Sequence, residues 1–276
     1  MDSSGGDLPV ITDRGEPAIQ RLVDLARSSR GTAKRMFLED PEPLLQAIAA
    51  GVEFVEVYGV AGTPVPGEVL AAATAAGIPL RLIDPALAGD IFKVEKKPKV
   101  FGVAVPPAPA RLHDLAGLPG DIVVLDGVRI VGNIGAIVRT SVALGAAGIV
   151  LLDSELTTIA DRRLLRASRG YVFSLPVVLA RPAQAEGFFA EHKDIRLVNF
   201  DAHGDVELAE LGGVRERLAL MFGSEKTGAS ASLARLVRST VSIPMNPAVE
   251  SLNVSVSVGI ALQQRAARNL ASLPGG

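Results

Sequence analysis

The alternation of strand-like and helix-like segments constrains the fold of this chain more than any other feature of its sequence. Pro17 to Ser29 carries apolar residues at helical spacing, and Pro66 to Ala76 is a second predicted helix, closed by Gly77. By contrast, Ile122 to Leu125 is a continuous apolar run, which is typical of a strand buried on both faces. Strands that alternate with helices build a sheet covered by helices. The sequence therefore predicts an α/β protein.

A proline-rich segment divides the chain. Pro106, Pro107 and Pro109 form a stiff, extended connector. The 276 residues are long for one compact domain and suit two. We therefore predict a flexible tail over residues 1–14, an N-terminal domain over 15–105, a linker over 106–120 and a second domain over 121–276.

Composition excludes several kinds of chemistry. The chain has no cysteine, so it cannot form disulfides, thiolate metal sites or a cysteine nucleophile. Its three histidines are scattered without metal-ligand spacing, and we predict no metal site. No uncharged apolar run reaches the roughly 18 residues of a membrane span. The N-terminus also lacks the basic and apolar regions of a signal peptide. A cytoplasmic protein is the natural interpretation.

Basic residues are clustered even though the net charge is −2. Such a net charge argues weakly against a nucleic-acid partner, but the local density of lysine and arginine matters more than the sum. Taken alone, either cluster is compatible with a solvated helix end or loop. The first cluster comprises Arg27, Arg30, Lys34 and Arg35, and the second comprises Lys93, Lys96, Lys97 and Lys99.

The common nucleotide-binding motifs are absent. A dinucleotide fold needs G-x-G-x-x-G after its first strand, and the residues that follow Leu125 do not match this pattern. A P-loop needs Lys and Ser or Thr after its second glycine. Gly223 and Gly228 have the right spacing, but Ala229 and Ser230 follow them. We therefore do not expect nucleotide hydrolysis.

Three separated segments carry the remaining chemistry, and each joins a predicted strand to a helix or loop. The pattern is Asn133-x-Gly135-x-x-x-Arg139, then Phe222-Gly223-Ser224-Glu225-x-x-Gly228, then Ile243-Pro244-Met245 and Ser251-Leu252-Asn253-Val254-Ser255. In this order the segments closely resemble the three motifs of SPOUT-superfamily methyltransferases of the SpoU type. That family methylates ribose 2′-hydroxyls of RNA with S-adenosylmethionine. The resemblance therefore implies a methyltransferase with this cofactor.

A second resemblance covers nearly the whole chain. The N-terminal domain and the segment from Asp161 to Tyr171 are similar to the thiostrepton and nosiheptide resistance methyltransferases of actinomycetes. This resemblance implies methylation of an adenosine in 23S rRNA where thiopeptide antibiotics bind. It also implies a SPOUT α/β domain with a trefoil knot at the C-terminal end, a small N-terminal RNA-binding domain like those of ribosomal proteins, and a homodimer.

The resemblance also assigns roles to individual residues. The catalytic residues would be Arg139, Glu225, Asn133 and Asn253. The cofactor would be bound by Phe200, Gly223, Ile243, Met245, Ser251, Leu252 and Asn253. The RNA would be bound by Arg27, Arg30, Lys34, Arg35, Lys93, Lys96, Lys97 and Arg169. The alternative role for Arg169 is to reach the active site of a partner subunit.

Arg139 is expected to be buried and central to the reaction. A guanidinium is a poor general base because its pKa exceeds about 12. We favour a cationic role, in which Arg139 lowers the effective pKa of the 2′-hydroxyl and holds a neighbouring phosphate. A deprotonated arginine that acts as the base is the rival account. Glu225 would orient Arg139 or the ribose.

Other interpretations stay open at this point. Ser255 has an alternative role as a plain helix cap. The terminal helix predicted over Leu252 to Leu270 is apolar nearly all round in its first half, which suits burial or a subunit interface. A tRNA ribose methyltransferase and a non-catalytic RNA-binding protein are the alternative functions.

Overall fold

The computed structural model describes residues 8–27, 34–92, 97–223 and 230–271. The chain divides into two compact units. The first unit comprises the described residues up to Ala108 together with Ala160–Ser174. The second unit comprises Pro109–Ile159 together with the described residues from Leu175 onward.

Strands and helices alternate as the sequence predicts, so the α/β class is confirmed. The strands are β1 (Val10–Ile11), β2 (Met36–Glu39), β3 (Phe54–Val60), β4 (Leu80–Ile83), β5 (Val100–Ala104), β6 (Ile122–Asp126), β7 (Gly148–Leu152), β8 (Val177–Ala180), β9 (Ile195–Phe200), β10 (Val206–Glu207), β11 (Arg217–Gly223) and β12 (Ser239–Ser242). The α-helices are α1 (Pro17–Arg27), α2 (Pro41–Ala49), α3 (Gly67–Ala75), α4 (Pro85–Ile91), α5 (Val131–Ala143), α6 (Arg162–Ala167), α7 (Pro182–Glu191), α8 (Ala231–Ala234) and α9 (Val254–Ala271). Short 3-10 helices lie at Leu112–Leu115, Tyr171–Phe173 and Leu208–Gly213.

The first unit is built on a mixed sheet with strand order β1-β4-β3-β5-β2. Strand β5 runs antiparallel to both of its neighbours, and the other pairs are parallel. Strand β1 lies within the predicted tail and corrects that prediction. It pairs with β4, and Ile11 is buried in the core that also contains residues of α1 and α4. A two-residue strand has no periodicity of its own, so only its pairing reveals it.

The segment Ala160–Ser174 belongs to the first unit, although the predicted boundaries place it in the second domain. Its helix α6 docks on β2 through Glu39, whose carboxylate accepts hydrogen bonds from Arg162 and Arg166 at 2.7 Å each. The Arg162 guanidinium also lies 5.1 Å from the centre of the Phe37 ring. The Glu39 side chain is nearly buried, so little water can stabilise its negative charge. The guanidinium groups of Arg162 and Arg166 stabilise it instead.

The end of this segment also differs from prediction. An extended stretch is predicted over Val172–Val178, but Tyr171–Phe173 forms a 3-10 helix and the strand begins only at Val177. Gly170, with φ of 81°, makes the turn between α6 and this 3-10 helix. A Cβ on Gly170 would lie 2.7 Å from the backbone of Pro43, so glycine is required there for both conformation and space.

The second unit is built on a parallel sheet with strand order β10-β12-β9-β11-β6-β7-β8. Its central strands β6 and β7 are buried along their whole length, as expected for a sheet covered on both faces. The end of the predicted linker joins this unit, because Leu115 is fully buried against its core. The Arg217 guanidinium donates to the carbonyls of Leu115, Ala116 and Gly120 and holds this stretch in place. The trefoil knot stays a prediction.

Helix α9 packs on this sheet with a partly polar buried face. The apolar residues Val258, Ala261 and Leu262 are buried as expected, but Arg265 and Asn269 are buried too. The Arg265 guanidinium donates to the Asp121 carboxylate from Nε at 2.8 Å and from Nη2 at 3.1 Å. This ion pair fastens the second half of α9 to the start of β6.

Candidate functional site

The carboxyl ends of neighbouring parallel strands bring two of the predicted cofactor residues to one edge of the second sheet. Phe200 at the end of β9 is in register with Phe222 on β11 and with Val241 on β12. Gly223 follows Phe222 and lies beside Asp126, the last residue of β6. Ligands of open parallel sheets bind at this edge. Phe200 and Gly223 therefore occupy the position where a binding site is expected.

Two stacked aromatic rings mark this edge. The rings of Phe200 and Phe222 are 4.5 Å apart between centroids and inclined by 14°. Phe222 is buried, whereas Phe200 is half-buried. The pair presents an apolar surface at the strand ends. Phe222 belongs to the second motif, but the sequence alone predicts no role for it, because it does not show which residue of a neighbouring strand faces Phe222.

The segment between β12 and α9 carries the other predicted cofactor residues. Ile243 directly follows the last residue of β12, so it lies at the same edge of the sheet as Phe200. Ile243, Met245 and Leu252 are half-buried, and Ser251 is exposed. The segment thus offers partly accessible apolar side chains next to the strand ends.

The two predicted catalytic asparagines meet where helices α5 and α9 begin. The Asn253 amide nitrogen donates to the Asn133 side-chain oxygen at 3.3 Å. The Asn253 side-chain oxygen accepts from the backbone nitrogen of Ser255 at 2.9 Å and from its hydroxyl at 2.7 Å. Asn253 is therefore the cap of α9, and Ser255 supports it by donating to it.

Helices α5 and α9 run side by side in the same direction. Both begin at the asparagine pair, and at their other ends Gly145 lies against the backbone of Asn269. A Cβ on Gly145 would be 3.1 Å from that backbone, and the residue has φ of 69°. Parallel packing places the positive ends of two helix dipoles together. The positive ends lie at the residues of the first and third motifs.

Arg139 is exposed, and the expectation that it is buried is wrong. It follows Asn133 by six positions on α5, which is roughly 9 Å along the axis and about 120° around it. Arg139 therefore points away from the buried side of α5, along a face shared with Gly132, Ala136 and Ala143. It has no hydrogen bond or ion pair to any residue that the structure describes. Its predicted partner Glu225 lies outside the described residues.

Asp126 is a residue of this edge that the motif search missed. Its side chain is nearly buried, and its carboxylate accepts a hydrogen bond from the backbone nitrogen of Ser230 at 2.7 Å. Asp126 is also in register with Gly223. Its carboxylate therefore holds Ser230, which follows the segment that carries Glu225, beside the strand that precedes this segment. The sequence contains one indication of this residue, because Asp126 is a carboxylate directly after the apolar run Ile122–Leu125.

We expect Asp126→Ala to lower kcat/KM about 10- to 100-fold for the methyl transfer that the resemblance implies. Loss of a hydrogen bond to a charged group costs about 1.5–3 kcal/mol, and Ser230 would lose its contact with β6. Steady-state kinetics with thermal unfolding in parallel would measure this. Asp126→Asn keeps an acceptor oxygen and should lose less activity. Equal kinetics for Asp126→Ala and the wild type would contradict the anchoring role.

The predicted RNA-binding residues lie on the first unit where they are described. Arg27, Lys34, Arg35 and Lys97 are exposed, and Arg30, Lys93 and Lys96 lie outside the described residues. Arg169 is half-exposed, and its guanidinium is 3.2 Å from the Glu42 carboxylate. Arg169 is therefore already paired within its own unit, and an incoming phosphate would have to compete with Glu42.

Neither a metal site nor a membrane span emerges from the described ranges. Within them, no cluster of three histidine, aspartate or glutamate side chains is arranged to hold a metal ion. None of the helices found there is both long and apolar enough to cross a membrane.

Comparison with known proteins identifies both parts of the chain. Residues 8–118 match the family described as thiostrepton-resistance methylase, N terminus, and residues 121–263 match the SpoU rRNA methylase family. The residues matched to the second family include Phe200, Gly223 and Ile243 at the strand ends, the pair Asn133 and Asn253, and Arg139. The family resemblance drawn from the three motifs is confirmed.

Individual relatives agree with these matches. The chain is 60% identical over 264 residues to a protein of Streptomyces laurentii named 23S rRNA (adenosine(1067)-2′-O)-methyltransferase, with 96% of this chain and 97% of that protein covered. A protein of the same name from Streptomyces azureus is 53% identical over 266 residues, with 96% and 98% covered. The structure of an AdoMet-bound rRNA methyltransferase from Sinorhizobium meliloti superposes with a TM-score of 0.75 at 25% identity, covering 95% and 98% of the two chains. This chain belongs to the SpoU rRNA methylase family.

Proposed function

We propose that this protein transfers a methyl group from S-adenosylmethionine to the ribose 2′-hydroxyl of an adenosine in 23S rRNA. The modified nucleotide lies where thiopeptide antibiotics bind, and the added methyl gives resistance to drugs such as thiostrepton or nosiheptide. Two observations carry the proposal. Gly223 of the second motif and Ile243 of the third lie at the carboxyl ends of strands in one parallel sheet, and Asn133 of the first motif is hydrogen-bonded to Asn253 of the third. The 60% identical relative, named for this reaction, supports the choice of substrate. We also propose that the protein works in the cytoplasm, because its proposed substrate is ribosomal RNA.

The residues at the strand ends fit S-adenosylmethionine. The stacked Phe200 and Phe222 and the half-buried Ile243, Met245 and Leu252 offer apolar surface for an adenine ring and a methionine chain. At Gly223 the absence of a side chain leaves room for the ligand to approach the backbone. When bound, the cofactor supplies a methyl group already activated on a sulfonium. The protein must then orient the 2′-hydroxyl, stabilise its developing negative charge and assist removal of its proton.

Arg139 supplies positive charge to this reaction. Because its guanidinium has no partner among the described residues, it is available to a phosphate and to the 2′-oxygen of the substrate. A cation beside the hydroxyl lowers the effective pKa of that hydroxyl and stabilises the alkoxide that forms. Asn133 and Asn253, joined by their hydrogen bond, orient the ribose. Glu225 orients Arg139.

A second copy of the chain completes the assembly. Large apolar side chains are exposed on the second unit, and the most exposed is Ile130 at 67%. The others are Val249, Val256 and Leu270. We place the contact with another subunit on these side chains and on the small residues beside Arg139 on α5. The homodimer buries these side chains and brings residues of the partner toward the exposed Arg139.

We expect Val256→Glu to convert the dimer to a monomer, because a charge cannot be buried in an apolar interface without a partner. Analytical ultracentrifugation measures the change. Val10→Glu makes the same substitution at an equally exposed valine of the first unit and should leave the dimer intact. A monomeric wild-type protein at micromolar concentration would rule the dimer out.

The test of the proposed function is transfer of labelled methyl from S-adenosylmethionine to transcribed 23S rRNA and, separately, to total tRNA. We expect label on the ribosomal RNA at one adenosine ribose. Label on tRNA alone would keep the reaction and overturn the substrate. Binding of RNA without any label would favour a non-catalytic RNA-binding protein.

A further inference from the structure

A small cavity opens in the first unit between helix α1 and the sheet. Its volume is about 220 Å³. Leu22, Leu25, Tyr58 and Val103 are buried and form its apolar floor. Since one water molecule occupies about 30 Å³ in the liquid, the cavity has room for one flat ring system and not for a helix or a strand.

A β-bulge directs one apolar side chain to the rim of this cavity. On β3, Phe54 is in register with Ala104 and Glu56 with Val103, so Val55 is the extra residue in the pairing. Val55 is 37% exposed, although valine in a strand is usually packed. Bulges often turn a side chain toward a functional site. An apolar ligand seated on the floor would cover Val55.

The floor of the cavity is held rigid. The Tyr58 hydroxyl donates to the Glu56 carboxylate at 2.6 Å, and the Arg81 guanidinium bonds to the same carboxylate. The Tyr58 ring also stacks on Phe101 with 5.5 Å between centroids. Burial, followed by the neighbouring Glu56, raises the pKa of Tyr58 well above its usual value, so its hydroxyl remains a donor. The Tyr58 ring is therefore held in one position and can contact a planar ligand without moving.

Charged groups at the rim specify the chemistry of the ligand. Arg21 and Arg35 bring two guanidinium groups and Asp24 brings one carboxylate. Neither Arg21 nor Asp24 is hydrogen-bonded or ion-paired to any described residue. Guanidinium groups bind phosphate, and a carboxylate accepts a hydrogen bond from the amino group of a base. An apolar slot flanked by two cations and one acceptor is complementary to a nucleotide unit of RNA.

We propose that this cavity binds one unstacked base of the RNA substrate, with Arg21 and Arg35 at the adjacent phosphates and Asp24 at an amino group of the base. Sequence-specific recognition of RNA generally uses bases that are splayed out of the helix into such slots. An apolar side chain of a protein partner fits less well, because it would leave the Arg21 guanidinium at the rim without an anion. The proposal rests on the proposed function and identifies a recognition site on the first unit for the same RNA.

The test fills the cavity. Val55→Phe, in the full-length protein, should weaken binding of a transcribed 23S rRNA fragment about 10- to 100-fold, as loss of one stacked base does. The rate at saturating RNA and the affinity for S-adenosylmethionine should stay unchanged. Val10→Phe is the matched control, because Val10 is exposed by 47% on the same unit and does not line the cavity. Unfolding temperatures of both variants confirm that they fold.

Chemical probing of the bases gives a direct readout. One base should be protected by the wild type and by Val10→Phe but reactive with Val55→Phe. The base site would be overturned if both variants bound the RNA with equal affinity and protected the same bases. If the wild type methylated the RNA in that case, the proposed function would still stand. A wild type that neither binds nor methylates the 23S rRNA would overturn both.

Discussion

Replacing Arg139 by alanine is expected to lower kcat for methyl transfer about 100- to 1000-fold, the usual cost of removing one group that stabilises a developing oxyanion. The fold should remain intact, because Arg139 is exposed and makes no polar contact with the residues that the structure describes. Surface substitutions of this kind change the free energy of unfolding by about 0.5 kcal/mol or less. Single-turnover methylation assays and thermal unfolding measure the two effects.

A lysine at the same position separates the two chemical roles of Arg139. If the charge stabilises the alkoxide, Arg139→Lys should keep part of the activity, with little added dependence on pH between about 7 and 9. If the residue is the base, the lysine variant should gain rate as pH rises toward its pKa of about 10.4. Arg215→Ala, another exposed arginine of the second unit, is the control and should retain full activity. An Arg139→Ala variant within threefold of the wild type would contradict any catalytic role.

Asp121→Ala is expected to lower the free energy of unfolding by about 3–5 kcal/mol, the usual result of removing one partner of a buried ion pair. Asp121 is fully buried and accepts hydrogen bonds from Arg265 and from the backbone nitrogen of Leu218. Without the carboxylate, the buried guanidinium of Arg265 retains only carbonyl partners, those of Leu211, Val214 and Glu216. Urea denaturation followed by circular dichroism measures the loss.

The double variant Asp121→Leu with Arg265→Met tests the reason for this loss. Arg268, the other ion-pair partner of Asp121, is one-third exposed and stays solvated, so the double variant leaves no fully buried charge unpaired. It should therefore be more stable than either single change. Asp205→Ala, at an exposed aspartate, is the control and should stay within about 0.5 kcal/mol of the wild type. If the double variant lost as much free energy of unfolding as the two single variants together, an unpaired buried charge would not explain the loss of stability. Loss of the ion pair would also loosen α9, which begins directly after Asn253, a residue with a proposed catalytic role.

Much of the site follows from the sequence because parallel strands end at the same edge of a sheet. Once Phe200, Gly223 and Ile243 are placed at the ends of predicted strands, a parallel sheet must bring those ends to one side. The structure confirms this arrangement for Phe200 and Gly223 through the register of β9, β11 and β6. The order of the strands and the stacking of Phe200 on Phe222 depend on pairings between distant parts of the chain, so periodicity could not predict them.

The wrong predictions have a common cause, since each concerns a contact between residues that are far apart in the sequence. The exposure of Arg139 depends on which face of α5 packs against α9. The place of Ala160–Ser174 in the first unit depends on Glu39, whose two arginine partners lie more than 120 residues away. The burial of Arg265, on which the sequence makes no prediction, likewise depends on a distant residue, Asp121 at the start of β6.

The amino-acid sequence by itself determined the α/β class, the alternation of elements, the family and the three motif segments. These features are local, because side-chain periodicity and the spacing of a motif are complete within a short stretch of chain. The tertiary structure alone decided which motif residues meet, which charges are buried in pairs and where a cavity with Arg21, Asp24 and Arg35 at its rim opens. Those features arise when distant segments pack, and the energies of packing and desolvation depend on neighbours that no local pattern contains.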